Sequence, residues 1–422
     1  MGFSFLFFGP FNTVITDGRN VMTGPLDGVK IVDFSNMLMA PYATQILGDQ
    51  GAEVVKVEAP GGDPVRNIGP ARNPGMGAIF LNCNRSKRSI VLNVKKSDGL
   101  AILRKMIEQA DVFLYNRRPQ SMERLGLTYE DVSAINPKII YVGLYGYSEE
   151  GLYAGRPAFD DLTQGAAAIP WLAHLADGRQ PAFTPTAIAD RGVALWAVGE
   201  INAALLYQYR TGKGQRIDIP MFEMMTSFVL GDHLGGETFY PALGMPGYPR
   251  MLNSNRKPYP TKDGYICVMV YTDQHWRDFS SALEGERDFI NDPRYASMAT
   301  RTEHITEIYK ELAELLITRT TLEWAELFNA ADIPTIPLNT LESLIEDPHL
   351  NSIGFFEHID HPSEGKIRSM RVPSRWSGTQ PEPSRHAPQL GEHNFEVLSE
   401  LGYDDQEIEA FVANAVIEAP TD

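Results

Sequence analysis

Short apolar runs alternate with amphipathic stretches through the first half of the chain. Such runs predict buried strands of a parallel sheet, because a strand covered on both faces loses the alternation of polar and apolar side chains. These strands are predicted at residues 29–34, 53–58, 89–94, 112–114, 138–144 and 216–219. Helices are predicted between them at residues 41–47, 98–109 and 119–125. This alternation is typical of an α/β protein with helices on both faces of its sheet.

A longer helix is predicted over residues 189–209, where apolar side chains recur at helical spacing. Gly212 follows it, as expected after a helix end, and Pro220 is placed to begin another helix. Residues 236–264 are rich in Gly, Pro, Tyr and Asn and are predicted to be an extended loop region. Further strand signals follow at residues 265–270 and 333–338, with a last helix near 404–413.

The first residues do not fit a secretory signal. Residues 3–8 are apolar, but no basic segment precedes them and no small-residue cleavage site follows. Organised structure is predicted to begin near Pro25. We therefore expect residues 1–24 to be an N-terminal extension, and Met22 raises the alternative that residues 1–21 come from a misplaced start.

The net charge of −17 argues against nucleic acid or an anionic membrane as the main partner. Residues 85–124 depart from this balance, with ten Lys and Arg against four acids. They form either solvated helix faces or a site for a polyanionic small molecule. The two cysteines, Cys83 and Cys267, lie far apart and favour a reduced, cytoplasmic setting. No apolar run approaches the length needed to cross a bilayer.

Several common motifs are absent from the sequence. The first strand is not followed by GxGxxG, and neither a Walker A loop nor a GxSxG elbow is present. The nine histidines show no HxxxH or HxH spacing, so no metal site is expected. No tightly bound cofactor is predicted.

Nine segments, in order, carry a specific resemblance. They are residues 25–60, 82–96, 111–127, 136–147, 156–168, 187–223, 256–268, 346–350 and 389–403. In their order and spacing they resemble family III CoA-transferases, the family of formyl-CoA and carnitine CoA-transferases that also includes 2-methylacyl-CoA racemase. The resemblance spans residues 25–415 and implies CoA or acyl-CoA and small carboxylic acids as substrates.

The resemblance also implies an architecture. A large Rossmann-like domain is built from both chain ends, a small α+β domain comes from the middle, and two chains interlock like rings in a homodimer. The boundaries expected here are 25–225 for the first part of the large domain, 226–332 for the linker and small domain, and 333–422 for the return to the large domain and the C-terminal tail.

The nucleophile implied by the family is Asp190, in the string AIADRGVA at the start of the long helix. A carboxylate there suits covalent exchange of CoA, and the helix dipole would favour its ionised form. By position alone Asp190 reads more readily as a plain helix N-cap, and only the family resemblance favours the nucleophile. Phe159 and Asp160 are weaker substrate-facing candidates, and an Asp pair after Phe159 reads as a helix start.

CoA carries phosphates that need cations, and guanidinium groups suit them well. By resemblance, the CoA contacts fall on Met37, Leu38, Met39, Leu92, Lys95, Asn116, Arg117 and Arg124. Most of these residues lie in or beside the basic segment. Met37 and Met39 read equally as core filler.

Three alternatives remain at this point. A racemase of the same fold would need a second base, but Phe159 stands at the position of its histidine. Intramolecular CoA transfer would use the same Asp190, and a non-catalytic acyl-CoA-binding protein would not need it. Formyl-CoA transferases carry Gln where this chain has Leu38, and residues 240–260 lack their glycine run. The donor and acceptor acids are therefore not predicted.

Overall fold

The fold is built on a parallel sheet, seen in a computed structural model that describes residues 24–419. The expected N-terminal extension lies outside these residues except for Gly24. Six strands form the main sheet: β1 Lys30–Phe34, β2 Glu53–Glu58, β3 Lys87–Val91, β4 Val112–Tyr115, β5 Ile140–Tyr145 and β6 Gln215–Pro220. Their order is β3-β2-β1-β4-β5-β6, and every neighbouring pair is parallel. The predicted α/β class with a parallel sheet is confirmed.

The strand order reverses between β1 and β4. The chain leaves β1 toward one edge of the sheet and returns at β4 toward the other, so the loops that follow these two strands diverge. In open α/β sheets the crevice at the carboxyl ends of such strands is where ligands bind. The residues that follow Phe34 and Tyr115 are therefore expected to line a ligand site.

Seventeen α-helices occur within residues 24–419. They are α1 Met39–Asp49, α2 Ala78–Leu81, α3 Ser97–Glu108, α4 Pro119–Arg124, α5 Tyr129–Ile135, α6 Asp160–Ala166, α7 Ile169–Asp177, α8 Ile188–Thr211, α9 Met221–His233, α10 Asp273–Ala282, α11 Met298–Glu303, α12 Ile305–Leu316, α13 Thr321–Ala330, α14 Leu341–Ile345, α15 Pro348–Ser352, α16 Asn394–Glu400 and α17 Asp405–Ala413. In this described part, none is long and apolar enough to span a bilayer.

The long helix α8 packs against α1 through small side chains. Ala194 and Ala197 of α8 are fully buried, as are Ala40 and Ala43 of α1. Small residues let two helix backbones approach closely, and Arg191 in the first turn of α8 packs on Tyr42 in the first turn of α1, so the starts of the two helices lie side by side.

Two further cores involve the rest of the chain. Leu398 of α16 and Ile408 of α17 are buried against side chains of the main sheet and of α3, so the C-terminal segment returns to the first part of the chain. Residues 259–333 bury a separate core that includes Trp324 and Phe328.

Three short strands accompany this separate core: β7 Tyr259–Pro260, β8 Tyr265–Val268 and β9 Thr335–Pro337, with antiparallel pairing of β8 to both others. An antiparallel hairpin, β10 Phe356–His361 and β11 Gly365–Met370, follows. The predicted strand at residues 333–338 thus pairs with the middle segment, whereas the predicted boundary assigned it to the returning part. The domain division itself stays a prediction.

The predicted third strand begins two residues too late. β3 starts at Lys87 and ends at Val91, so it includes Lys87 and Arg88. The hydrophobic pattern places these two charged residues outside the strand. Both are buried because carboxylates neutralise them. Lys87 Nζ lies 3.1 Å from Asp33 Oδ2, and Arg88 pairs with Glu396 and Glu400 at 2.8 Å.

A buried ion pair joins β3 to β1 and α1. Lys87 Nζ donates to Asp33 Oδ2, to the carbonyl of Pro41 at 2.7 Å and to Asn84 Oδ1 at 2.9 Å, and neither Lys87 nor Asp33 is exposed. Burial is the largest influence on Lys87 and lowers its pKa to about 8, against the opposing field of Asp33. Removing one partner of such a pair leaves a buried charge without compensation.

Asp33→Asn is therefore expected to lower the free energy of unfolding by about 3–5 kcal/mol. Glu314→Gln serves as the control, because the Lys310–Glu314 pair is exposed and such pairs contribute about 1 kcal/mol or less. Urea unfolding of both variants at pH 7 measures the difference. Equal losses in the two variants would contradict the prediction.

Candidate active site

Asp190 occupies the first turn of α8 but does not cap it. Ala187 holds the N-cap position and Asp190 is the third helical residue. The cap interaction comes from a distant side chain, because Asp160 Oδ2 accepts the backbone N–H of Asp190 at 2.9 Å. The alternative reading of Asp190 as a plain N-cap is therefore wrong. The carboxyl of Asp190 makes no capping hydrogen bond to α8.

Asp160 is itself held by Gln164. Gln164 Nε2 donates to Asp160 Oδ1 at 2.6 Å, one turn further along α6. Gln164 Oε1 accepts the N–H of Thr184 at 2.9 Å, and the Gln164 side chain is fully buried. This one amide thus links α6 to the segment that leads into α8, and it fixes Asp160 relative to Asp190.

The carboxyl of Asp190 has a pKa raised to about 7. Burial is the main cause, the negative charge of Asp160 adds to it, and the neighbouring Arg191 cation opposes it. The expectation that the helix dipole would favour the ionised form is thus overridden, because desolvation and a like charge act in the opposite direction. At neutral pH about half of the molecules carry the ionised carboxylate.

The loop between β1 and α1 is clamped from both sides. Asn116, which follows β4, accepts the N–H of Asn36 at 3.1 Å and donates to the carbonyl of Asn36 at 2.7 Å. Asp63 Oδ1 accepts the N–H of Met37 at 3.0 Å. Met37 has φ of +65°, a left-handed conformation that costs about 1 kcal/mol or more for a non-glycine residue. These hydrogen bonds stabilise that conformation.

A cleft of about 860 Å³ opens where the strand order reverses. Its lining consists of Asn36, Asn116, Arg117, Arg118, Gln120, Ser121, Glu123, Arg124, Ala154 and Gly155. Three predicted CoA-contact residues, Asn116, Arg117 and Arg124, meet there. The Arg117 guanidinium stacks 4.2 Å from the centroid of Phe34, and burial lowers its pKa.

The other predicted CoA contacts lie outside the lining of this cleft. Met39 and Leu92 are 5% and 1% exposed and belong to hydrophobic cores, which leaves at most their backbone atoms for a ligand. Met37 and Leu38 are half-buried in the clamped loop. Lys95 is exposed ahead of α3. The core-filler reading is right for the Met39 side chain.

Sequence reasoning missed some lining residues and misjudged the basic segment as a whole. Arg118, which adjoins Arg117 in the basic segment, lines the cleft but is not among the predicted CoA contacts. Of the ten cations, Arg85, Lys87 and Arg88 serve structural pairs instead, Arg85 with Asp49 at 2.9 Å. Their partners lie 36, 54 and up to 312 residues away, so local sequence gave no sign of them.

Phe159 and Asp160 take separate places. Phe159 precedes α6 and is 62% exposed, whereas Asp160 is half-buried against Asp190. Among residues 24–419, no cluster of three or more His, Cys, Asp or Glu side chains is arranged to hold a metal ion.

Comparisons with known proteins agree with this arrangement. A family model described as CoA-transferase family III matches residues 26–394. Succinyl-CoA:glutarate CoA-transferase from Homo sapiens is 32% identical over 421 residues, covering 95% of this chain and 94% of that protein. Formyl-CoA:oxalate CoA-transferase from Escherichia coli O157:H7 (strain EC4115 / EHEC) is 29% identical, covering 94% of this chain and 100% of that protein.

A solved structure extends the comparison to three dimensions. The crystal structure of a CAIB/BAIF family protein from Brucella suis superposes with a TM-score of 0.73 at 29% identity, covering 90% of this chain and 99% of that chain. The chain belongs to CoA-transferase family III. The predicted family is confirmed, and the protein is an enzyme of the CoA-transferase class.

The raised pKa of Asp190 leads to a pH prediction. If Asp190 is the nucleophile that the sequence predicts, it attacks as the ionised carboxylate, so kcat/KM for an acyl-CoA is expected to rise with pH through about 7. Asp160→Asn removes the like charge while keeping an oxygen for the Asp190 N–H. The rise of kcat/KM, which is the acidic limb of the pH profile, should therefore move to lower pH. A pH profile of kcat/KM measures the shift.

Asp161→Asn is the matched control for Asp160→Asn. Asp161 is the neighbouring carboxylate on α6, is exposed and does not contribute to the shift at Asp190. Its profile should overlay that of the unmodified enzyme. An unmoved limb in Asp160→Asn would show that Asp160 does not set the ionisation of Asp190.

Proposed function

We propose that the enzyme moves CoA from an acyl-CoA donor to a carboxylic acid acceptor through a covalent intermediate on Asp190. The supporting observation is the half-buried Asp190 carboxyl, which Asp160 frees from capping and which lies in the first turn of α8, where Arg191 packs on Tyr42 of α1. Burial weakens solvation of the carboxylate, which suits nucleophilic attack.

The first half of the reaction loads CoA onto the enzyme. The Asp190 carboxylate attacks the thioester carbonyl carbon, the C–S bond breaks, and CoA leaves as a thiolate with a mixed anhydride left behind. The thiolate then attacks the Asp190 carbonyl carbon, and the donor acid leaves as its carboxylate. Asp190 now carries CoA as an aspartyl thioester.

The second half reverses these steps with another acid. The acceptor carboxylate attacks the Asp190 carbonyl carbon and displaces the CoA thiolate. The thiolate attacks the acyl carbon of the new anhydride, which releases the product acyl-CoA and the free Asp190 carboxylate. No proton and no redox partner is consumed, so the site needs only to position the groups and exclude water.

CoA itself is assigned to the cleft that follows β1 and β4. Arg117, Arg118 and Arg124 supply cations for its phosphates, and Asn36 of the clamped loop lines the same cleft. The acids of the relatives named above include succinate, glutarate and oxalate, so dicarboxylic acids are among the proposed substrates. The two cysteines, both free, support a reduced cytoplasmic location as part of the proposal.

The racemase alternative is less well supported. It requires a second proton acceptor facing the substrate, and Phe159 offers none. Intramolecular transfer would follow the same covalent steps and is distinguished by whether an added acid is needed for turnover.

Trapping tests the covalent step. With an acyl-CoA and hydroxylamine, the unmodified enzyme should yield a hydroxamate at Asp190, located by peptide mass spectrometry. Asp190→Asn should lose turnover by at least about 10³-fold. It should still bind CoA in calorimetry, because the cleft residues are intact. Asp161→Asn, a nearby exposed carboxylate, should retain both activities.

Two outcomes would count against the proposal. Full transferase activity in Asp190→Asn would remove Asp190 from the mechanism. Binding of acyl-CoA by the unmodified enzyme without any trapped carboxylate would favour an isomerase or a binding protein.

An interlocked homodimer is also proposed. Several large apolar side chains on α8, α9 and the segment after α9 are exposed in the single chain: Leu195, Trp196, Phe228, Tyr240, Leu243 and Met245. Exposed apolar surface of this extent on α8, α9 and the segment after α9 supports binding of a protein partner. A second copy of the chain is the partner implied by the family resemblance.

Leu195→Asp with Phe228→Asp should impair assembly, because two charges would enter the apolar contact. Sedimentation velocity is expected to show a dimer for the unmodified chain and a smaller species or aggregates for the double variant. Glu314→Gln on α12 provides the control. A monomeric unmodified chain with full activity would rule out the dimer.

A further inference from the structure

Arg191 is, like Arg117 in the cleft and Arg250, a half-buried arginine that forms no ion pair with a carboxylate within residues 24–419. Arg66, Arg85 and Arg88 each form ion pairs with Glu or Asp side chains. Within residues 24–419, the guanidinium of Arg191 makes no ion pair and no side-chain hydrogen bond. A half-buried cation left without an anion in the folded chain is available for an anion that arrives as a ligand.

The guanidinium of Arg191 is nevertheless held in place. Its central carbon lies 4.1 Å from the ring centroid of Tyr42, which belongs to α1 one turn beyond the clamped loop. Stacking on an aromatic face fixes the guanidinium plane and leaves the N–H groups at its edge free for bidentate binding. Arg191 is thus oriented by packing between α8 and α1, the two helices that frame the candidate site.

Arg191 also lies next to the nucleophile. It follows Asp190 in the first turn of α8, and its charge is close enough to lower the pKa of the Asp190 carboxyl. The two side chains nevertheless form no direct ion pair in the described structure. The Arg191 guanidinium is therefore not neutralised by a direct contact with Asp190.

The phosphates of CoA are not the expected anion for Arg191. The cleft after β1 and β4 already supplies Arg117, Arg118 and Arg124, and Arg191 is not among its lining residues. The acid that exchanges CoA at Asp190 is the other anionic reactant. Its reacting carboxylate must approach Asp190 itself, so only a second carboxylate on the same molecule would be left for Arg191.

We propose that Arg191 binds the distal carboxylate of a dicarboxylic acid while the proximal carboxylate reacts at Asp190, which makes Arg191 a determinant of substrate specificity. This inference rests on the proposed CoA-transferase function. A bidentate guanidinium–carboxylate contact favours a diacid over the monoacid of equal chain length, because the monoacid leaves the buried cation without a partner.

The test compares matched acids in unmodified enzyme and in Arg191→Met. The ratio of kcat/KM for succinate over butyrate, and for glutarate over valerate, is measured with one acyl-CoA donor. The ratio is expected to fall by about 10- to 100-fold in Arg191→Met, mainly through loss of diacid activity. Arg191→Lys keeps the charge without the planar fork, so it should retain part of the preference.

Arg368→Met is the matched control. Arg368 also lies over an aromatic ring, 5.8 Å from the centroid of Phe356, but it sits in the β10–β11 hairpin. Its diacid-to-monoacid ratio should be unchanged. Thermal unfolding of each variant, and its hydroxamate yield at Asp190, show whether it is folded and still forms the covalent intermediate.

The outcomes distinguish failure of the proposed CoA-transferase function from failure of the specificity role of Arg191. If unmodified enzyme yields no hydroxamate at Asp190, the proposed function itself fails. If it does, and Arg191→Met loses diacid and monoacid activity equally, Arg191 only supports the helix or the ionisation of Asp190, and the specificity role is overturned. A preference for monoacids in the unmodified enzyme would overturn it as well.

Discussion

The candidate site depends on a set of charges buried beneath the loop that follows β1. Lys56 and Lys87 are both fully buried, and each connects a strand to the backbone of this region: Lys56 to the carbonyl of Ser35 at 3.0 Å, and Lys87 to that of Pro41. Lys56 also pairs with Asp63 at 2.9 Å, and Asp63 in turn holds Met37. These ion pairs and hydrogen bonds therefore hold the loop in its conformation, in addition to hydrophobic packing.

The same network explains how two distant parts of the chain form one site. The loop is fixed at its start by Lys56 of β2, at its middle by Asn116 after β4, and just beyond its end, at Pro41 of α1, by Lys87 of β3. Helix α1 leaves this loop and packs against α8, so the position of the loop determines where Asp190 lies. A change in the buried charges is consequently expected to displace the first turn of α8, where Asp190 lies, through the packing of α1 against α8.

The sequence was informative where the physical cause was local. Apolar runs predicted the strands of the main sheet, and helical spacing followed by Gly212 predicted α8 to within two residues at each end. Only the start of α6, at the Asp pair after Phe159, was considered, and α7 was not predicted. The string RPAFDDLTQGAAA, which contains α6, has little helical periodicity. The capping of α8 by Asp160 and the pairing of Lys87 and Arg88 depend on residues that are 30 or more positions distant, so no local pattern reveals them.

The contact between Asp160 and the start of α8 has an energetic consequence for the proposed acylation of Asp190. A pKa near 7 means that burial and the charge of Asp160 penalise the anion of Asp190 by a few kcal/mol relative to an uncharged carboxyl, at about 1.4 kcal/mol per unit. An anhydride or a thioester at this position is also uncharged and escapes the same penalty. In the proposed mechanism the pocket thereby offsets part of the thermodynamic cost of acylating Asp190, and the ionised resting enzyme, rather than the intermediate, carries the energetic penalty.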